Sequence, residues 1–427
     1  MKILSLDFGT SSLKSGLYLE NQIFFYTSKD NSYFDDPLSS IKKIIEKIKF
    51  KHKINEFDVM VVDSIFPSYK FLDEHCCPFD EDFYWYDHTL KEVILGISKP
   101  GVRLKYILSY KDYINFLLTS RISTDFITHY NLEREPSLGK FIKEFKDILE
   151  PSEPLGLLND AMKKYFGIKG KCIVLSGSID AFMAALGMGA VDTNEVGEIG
   201  GTSTCVFKII KKNSSEVPYF FKDQSIKMLP MSCGGITLKW LKDTFKLNEK
   251  VIFEKIDKNQ KNNEGLLFFP HLLGARSPLW LEEIRSSFCG IDTLTDFSDL
   301  LKVVAEGVAF VIKQNIDILK IDSDWIYISG KTALSNSWNQ LKSNIYNLSL
   351  RRVNYLQSAV MGNIFLGVKF LSNFKDPEFK KFIKYLIKIE EVFKPEKEKQ
   401  LFYEKKYKNF IEMQNRLYNL KNSGKSK

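Results

Sequence analysis

The chain has 427 residues, with 44% apolar side chains, 24 Gly, 13 Pro and six Cys, which excludes a collagenous, disulfide-stapled or wholly disordered protein. At roughly 100 to 200 residues per domain, the length suggests two sizeable domains with a cleft between them. Lys and Arg number 61 against 53 acidic residues, a mild excess without the basic and aromatic concentration on one face that a nucleic-acid binder would show.

The basic residues are thickest from Lys394 onward, where the signs alternate, as in Lys394-Pro395-Glu396-Lys397-Glu398-Lys399. This pattern reads as a solvated helix face. The six Cys form no C-x-x-C pair and the five His show no zinc-like spacing, so the thiols read as scattered and reduced. Asp7 interrupts the first apolar run, and no uncharged apolar stretch reaches ~18 residues. A cytoplasmic protein without a membrane segment is expected.

In chain order, Ile3 to Leu6 and Leu13 to Leu19 read as a hairpin around a Gly-Thr-Ser-Ser turn. Ser39 to Ile48 has helical periodicity, and Val59 to Val62 and Tyr69 to Leu72 are strand-like. Phe141 to Leu149 and Leu157 to Phe166 are expected as helices separated by Pro151 and Pro154. Cys172 to Leu175 is a short buried strand running into Ser176-Gly177, and Asp180 to Leu186 starts a helix. After Val191-Asp192 the pattern begins again, with Gly201-Thr202-Ser203 before a strand at Thr204 to Ile210. Leu301 to Lys320 reads as a long amphipathic helix, and Ile326 to Ser329 is a strand ending at Gly330. The two Gly-Thr-Ser turns suggest an internal duplication.

Two constellations carry chemistry. Asp7-Phe8-Gly9-Thr10-Ser11-Ser12-Leu13-Lys14 offers backbone N–H groups, hydroxyls and an ammonium to an anionic phosphate tail, with Asp7 able to hold Mg²⁺ through water. An ordinary hairpin turn is the plainer alternative. In Ser176-Gly177-Ser178-Ile179-Asp180, small residues let a substrate approach, and Asp180 is either a proton acceptor for a hydroxyl or simply a helix cap. Gly330-Lys331-Thr332 is not the end of a P-loop, because Trp325 stands where that motif needs Gly.

In their order, these segments resemble the FGGY carbohydrate kinases, and among them the xylulokinases. Asp7 to Lys14 looks like that family's first phosphate loop, Gly177 to Gly189 like its catalytic-aspartate segment and Gly201-Thr202-Ser203 like its second phosphate loop. Gly234-Gly235 through Trp240-Leu241, Pro270 to Trp280 with Arg285 and Gly290, Glu306 to Phe310 and Ser335 to Gln340 continue the series. The resemblance spans nearly the whole chain.

It implies an α/β fold of two ribonuclease-H-like, actin-like ATPase domains, 1–191 on the sugar side and 192–427 on the nucleotide side. It implies phosphoryl transfer from ATP to a sugar or polyol hydroxyl, with Asp180 as base, Asp7 on the metal, and Thr10, Ser11, Lys14, Gly201 and Thr202 on the phosphates. Gly235, Gly330, Thr332 and Asn336 match nucleoside-contacting positions, and Trp85 with Asp87 matches a sugar motif that has lost its Arg. No nucleic-acid or membrane partner is implied, and a homodimer is compatible with it.

The chain departs from the family at Gly330-Lys331-Thr332-Ala333, where three Gly are usual, and at Ile65-Phe66-Pro67-Ser68, where Gln-Met-His-Gly is often found. Two readings stay open: an ATP-dependent carbohydrate kinase, or a catalytically weakened actin-like sensor or partner module.

Overall fold

The computed structural model describes all residues except 29–32, 85–89, 98–102, 140, 143–144, 146, 260 and 421–427. The expected sugar-side residues Trp85 and Asp87 therefore lie outside the described residues.

In the first stretch of chain, strands β1 (Lys2–Phe8), β2 (Leu13–Leu19) and β3 (Gln22–Ser28) form a meander, followed by helix α1 (Pro37–His52). Strands β4 (Val59–Ser64), β5 (Ser68–Asp73) and β6 (Pro78–Tyr84) lead to α2 (Leu90–Ile97), β7 (Leu104–Ser109) and α3 (Tyr110–Thr119). Then come β8 (Thr124–Asp125), α4 (Phe126–Glu133), β9 (Ile148–Leu149), β10 (Pro154–Leu157), α5 (Asp160–Phe166), β11 (Ile173–Leu175), β12 (Ser178–Ile179) and α6 (Asp180–Gly187).

The second stretch runs β13 (Val196–Gly200), β14 (Thr204–Lys211), β15 (Val217–Pro218), β16 (Gln224–Met231), α7 (Gly235–Phe245), α8 (Glu249–Lys258), β17 (Leu267–Phe269), β18 (Ser287–Cys289) and α9 (Phe297–Leu319). It continues through β19 (Trp325–Ser329), α10 (Asn336–Tyr346), β20 (Ser349–Val353), α11 (Ser358–Ser372), α12 (Asp376–Leu386), β21 (Ile389–Phe393) and α13 (Lys397–Leu417).

The described chain clusters into two compact units. One comprises Met1–Val191, Ile210–Ile226 and Gln357–Ile387, and the other Asp192–Ile209, Lys227–Leu356 and Lys388–Lys427.

In the first unit the sheet order is β10-β11-β4-β1-β2-β3, with β12 also on β4. Strand β1 is antiparallel to β2 and parallel to β4, which is in turn parallel to β11. Helix α1 covers this sheet because Ile41, Ile44, Ile45 and Ile48 repeat at three- and four-residue spacing, and all four enter the core with Leu4, Leu6 and Val62. Asp36 caps α1 by accepting from the Ser39 N–H at 3.0 Å, and Lys53 ends it in the left-handed region at φ 56°. Helices α6 and α11 cross so closely that a Cβ on Gly187 would lie 1.8 Å from the Ser358 carbonyl oxygen, and one on Gly362 2.2 Å from that of Met183.

In the second unit β13 is antiparallel to β14 and parallel to β19, which is parallel to β20. Each unit thus opens with a hairpin whose first strand pairs in parallel with a later one. Helix α9 is buried on nearly every side from Leu301 to Ile312, more than an amphipathic stripe requires.

Two local expectations change. Phe141 to Leu149 is not a helix among its described residues: backbone bonds run from Leu138 to Glu135, Phe141 to Leu138 and Phe145 to Ile142, and Ile148–Leu149 is a strand on β8. Tight turns with a three-residue step present Phe141, Ile142 and Phe145 to one apolar cluster, imitating helical spacing. The following helix starts at Asp160 rather than Leu157, capped by Asn159 accepting from the Met162 N–H at 2.9 Å, because Pro154–Leu157 pairs as an edge strand with β11. The basic C-terminal helix has its solvated face, and its other face is packed. Tyr403, Lys406, Phe410 and Gln414 of α13 are buried, and Lys406 Nζ donates to Glu306 Oε2 at 2.5 Å.

Candidate active site

Within the first unit, strand register assembles the acidic site. Asp7 ends the apolar run of β1 and Asp63 that of β4, and the parallel pairing sets them directly side by side. Ser178 of β12 is the partner of Asp63 on its other side, with Ile179 opposite Ser64, so Asp180 begins α6 just beyond the same row. Asp63 was not singled out from the sequence. The available signal was an Asp closing a buried apolar run, the pattern already noted at Asp7.

Lys14 reaches back across the hairpin, its Nζ 3.0 Å from Asp7 Oδ2. The turn between them is closed by the Gly9 N–H donating to the Ser12 carbonyl at 3.2 Å, and Tyr33 OH donates to the Gly9 carbonyl at 2.6 Å. Phe8, Tyr33, Phe34 and Tyr110 pack below as an aromatic cluster. Thr10 is half-buried and Ser11 exposed in this turn.

The charges act on one another. Asp7 above all, with Asp63 and Asp180, holds the Lys14 ammonium above its ordinary pKa despite burial. Burial, then the charges of Asp7 and Asp180, push the Asp63 carboxyl well above the usual range. Asp63 Oδ2 accepts from Asn363 Nδ2 of α11 at 2.5 Å, while the buried Oδ1 accepts no hydrogen bond. Burial, then the charge of Asp7, raise Asp180 to about 7, against the opposing pull of the Ala181 N–H and Lys14.

Asp180 does not cap its helix. Ile179 holds the cap position without a side-chain bond, and Asp180 Oδ1 accepts from the N–H of the next residue at 2.7 Å. Its position depends on Gly177, which sits at φ +65° where a Cβ would lie 2.0 Å from the Val62 carbonyl oxygen.

In the second unit, three backbone segments converge through glycine. A Cβ on Gly235 would lie 2.4 Å from the Gly201 carbonyl oxygen, and one on Gly330 2.3 Å from that of Gly200. The Gly235 and Ile236 N–H groups donate to the Gly201 and Thr202 carbonyls at 3.0 and 2.8 Å. Such a cradle of close backbone suits a phosphate or nucleoside that must approach the main chain. Gly201, Thr202, Gly235, Gly330 and Thr332 are brought together.

The Thr332 side chain turns toward β13: a Cβ on Gly200 would meet its Oγ1 at 1.7 Å. Asn336 starts α10 with both side-chain ends engaged, accepting from Arg352 at 2.8 Å and donating to Glu391 at 3.2 Å.

The FGGY family of carbohydrate kinases, C-terminal domain, matches residues 199–370. A xylulose kinase of Staphylococcus epidermidis is 25% identical over 475 residues, spanning 95% of each chain. Among solved structures, the ligand-bound xylulose kinase of Lactobacillus acidophilus superposes with a TM-score of 0.85 at 19% identity over 98% of this chain and 99% of its own. The gluconate kinase of the same organism gives 0.83, also at 19% identity, over 97% and 98%. The fold is thus the two-domain α/β architecture of these sugar kinases, and over residues 199–370 the chain is similar to the C-terminal domain of the FGGY carbohydrate kinases.

Proposed function

We propose that this carbohydrate kinase transfers the terminal phosphoryl group of ATP to a hydroxyl of a neutral sugar or polyol, a pentulose being the first candidate, with Asp180 as the general base. The observation that carries the reading is Asp180 itself: a half-buried carboxylate outside the N-cap position, whose pKa of about 7 suits proton abstraction near neutral pH. Names among the relatives include both xylulose and gluconate kinases, so the sugar is tested directly.

In this reading ATP supplies the phosphoryl group and Mg²⁺ neutralises its developing charge. Asp7 holds the cation. Mg²⁺ usually keeps several waters and takes one or two carboxylates, so a single carboxylate such as Asp7 can hold it. Thr10, Ser11 and Lys14 bind phosphate oxygens. Asp180 accepts the proton of the sugar hydroxyl and so readies its oxygen for attack.

Gly201, Thr202, Gly235, Gly330, Thr332 and Asn336 form the nucleotide side, in residues 192–427. Residues 1–191 carry the sugar side, where Trp85 and Asp87 follow β6 and hold the substrate. A carboxylate at Asp87 accepts hydrogen bonds from neutral hydroxyls and repels anions.

The retained Asp7, Lys14, Asp180 and glycine cradle favour catalysis over a sensor role. A screen of ketoses, polyols and sugar acids for sugar-dependent ADP release tests the proposal. A neutral sugar should give the largest kcat/KM. Sugar acids as the best substrates would overturn the neutral-substrate reading, and ADP release with no sugar preference would overturn the kinase reading.

A further inference from the structure

Behind the turn that carries Asp180 lies a buried ionic cluster with no part in the chemistry above. Lys111, the second residue of α3, and Asp112 and Asp125 are all fully buried. Lys111 Nζ lies 2.5 Å from Asp112 Oδ1 and 3.2 Å from Asp125 Oδ2. Asp112 also accepts from Ser109 and Thr124 at 2.7 and 2.8 Å. Asp125 caps α4 through the Ile127 and Thr128 N–H groups and accepts from the Thr128 hydroxyl.

The cluster reaches the catalytic turn at two successive points. The Ser176 carbonyl accepts from Lys111 Nζ at 3.1 Å and from Asn115 Nδ2 at 2.8 Å. The Ser178 hydroxyl donates to Asp125 Oδ1 at 2.8 Å. The intervening Gly177 has its N–H on the Pro151 carbonyl at 3.0 Å. Side chains from α3 and from the start of α4 therefore grip the two residues that flank Gly177 and lead into Ile179-Asp180.

Burying three charged groups is costly, and apolar side chains of similar volume often serve stability as well or better. What charged and amide donors add is direction, since each bond fixes one backbone or hydroxyl atom. Catalytic groups must be held within about 0.5 Å of their working position, and a displacement of about 1 Å can cost ~100-fold in rate.

We propose that Lys111, Asn115, Asp125 and Ser178 are positioning residues for Asp180, locking the 176–178 turn so that the carboxylate is aimed at the substrate hydroxyl. This rests on the reading of Asp180 as the base.

The test is a mutant cycle on kcat. Ser178→Ala removes only the hydroxyl link to Asp125, and Lys111→Met removes the charged grip on the Ser176 carbonyl. Each should lower kcat by about 10-fold or more with sugar and ATP KM within 2-fold, and Ser178→Thr, which keeps the hydroxyl, should restore it. In an Asp180→Asn background neither change should lower kcat further, because groups acting through one residue are non-additive.

An equal loss in both backgrounds would show a merely structural effect and overturn the proposal. So would full-speed Ser178→Ala in an enzyme that Asp180→Asn cripples, with the base reading left standing. Near-normal turnover of Asp180→Asn alone would overturn both. Should Lys111→Met fail to fold, the Ser178→Ala and Ser178→Thr pair decides alone.

Discussion

Asp7 and Asp63 stand side by side at the ends of parallel strands β1 and β4, two carboxyls brought together by register although 56 positions separate them. Like charges so placed do not both ionise readily, and burial, then the charges of Asp7 and Asp180, raise the Asp63 carboxyl well above the usual range, which favours its protonated form. An amide mimics a protonated carboxyl in shape and hydrogen bonding. Asp63→Asn should therefore change unfolding free energy by less than ~1 kcal/mol, whereas Asp63→Ala strands the Asn363 amide and should cost ~1–3 kcal/mol. Chemical denaturation of both variants checks this, and equal losses would show that Asp63 is ionised.

Asp180→Asn should keep the fold and ATP affinity and lower turnover by at least ~100-fold, the contribution of a positioned base. Calorimetric ATP titration and steady-state kinetics on the same preparation separate the two. Turnover near that of the wild type would leave Asp180 a spectator.

The same residue sets a pH window with opposite signs for activity and stability. As a base it must be ionised, so kcat/KM should rise with pH and level off above about 7. Its folded pKa lies above the unfolded value near 3.9, so the protonated form stabilises the fold below about pH 4, and that contribution is lost as pH rises toward 7. Asp180→Asn should thus melt higher than wild type at pH 8, by the equivalent of a few kcal/mol, and should lose this advantage near pH 4. A melting-temperature difference independent of pH would contradict the shift.

In the 330–332 loop, proposed above to contact the nucleotide, Thr332 occupies the space that a Cβ on Gly200 would need. Gly200→Ala should weaken ATP binding by displacing this loop, and adding Thr332→Gly should recover most of the loss. Titration calorimetry on the single and double variants reads the outcome. Simple additivity would show that the two positions do not share the space.

The crossing of α6 and α11 depends on two missing side chains. Gly362→Ala would set a Cβ 2.2 Å from the Met183 carbonyl oxygen, and a rigid backbone cannot give way as a side-chain end does. A loss of ~1–3 kcal/mol of stability is expected, the usual range of overpacked core sites, measured by thermal unfolding. Because α11 also carries Asn363, turnover should fall with it.

The sequence by itself determined the parts whose chemistry is local. Short apolar runs specified β1, β2, β4 and β14, and four isoleucines at helical spacing specified α1. The Gly-Thr-Ser turns, Lys14 and an Asp at a strand-to-helix junction were legible because small residues, hydroxyls and charges at turns have few other uses.

Tertiary structure decided what depends on pairing between distant segments. Register made Asp63 a neighbour of Asp7, and helix-on-strand packing brought Lys111, Asn115 and Asp125 against the Ser176–Ser178 turn. Phe141 to Leu149 looked helical only because tight turns and helices share a spacing of three to four residues. Cap or base could not be distinguished for Asp180 from its position in the chain. The folded chain puts Ile179 at the cap position and limits the water around the carboxylate, which supports the base reading proposed above, and that solvation depends on packing between segments distant in sequence.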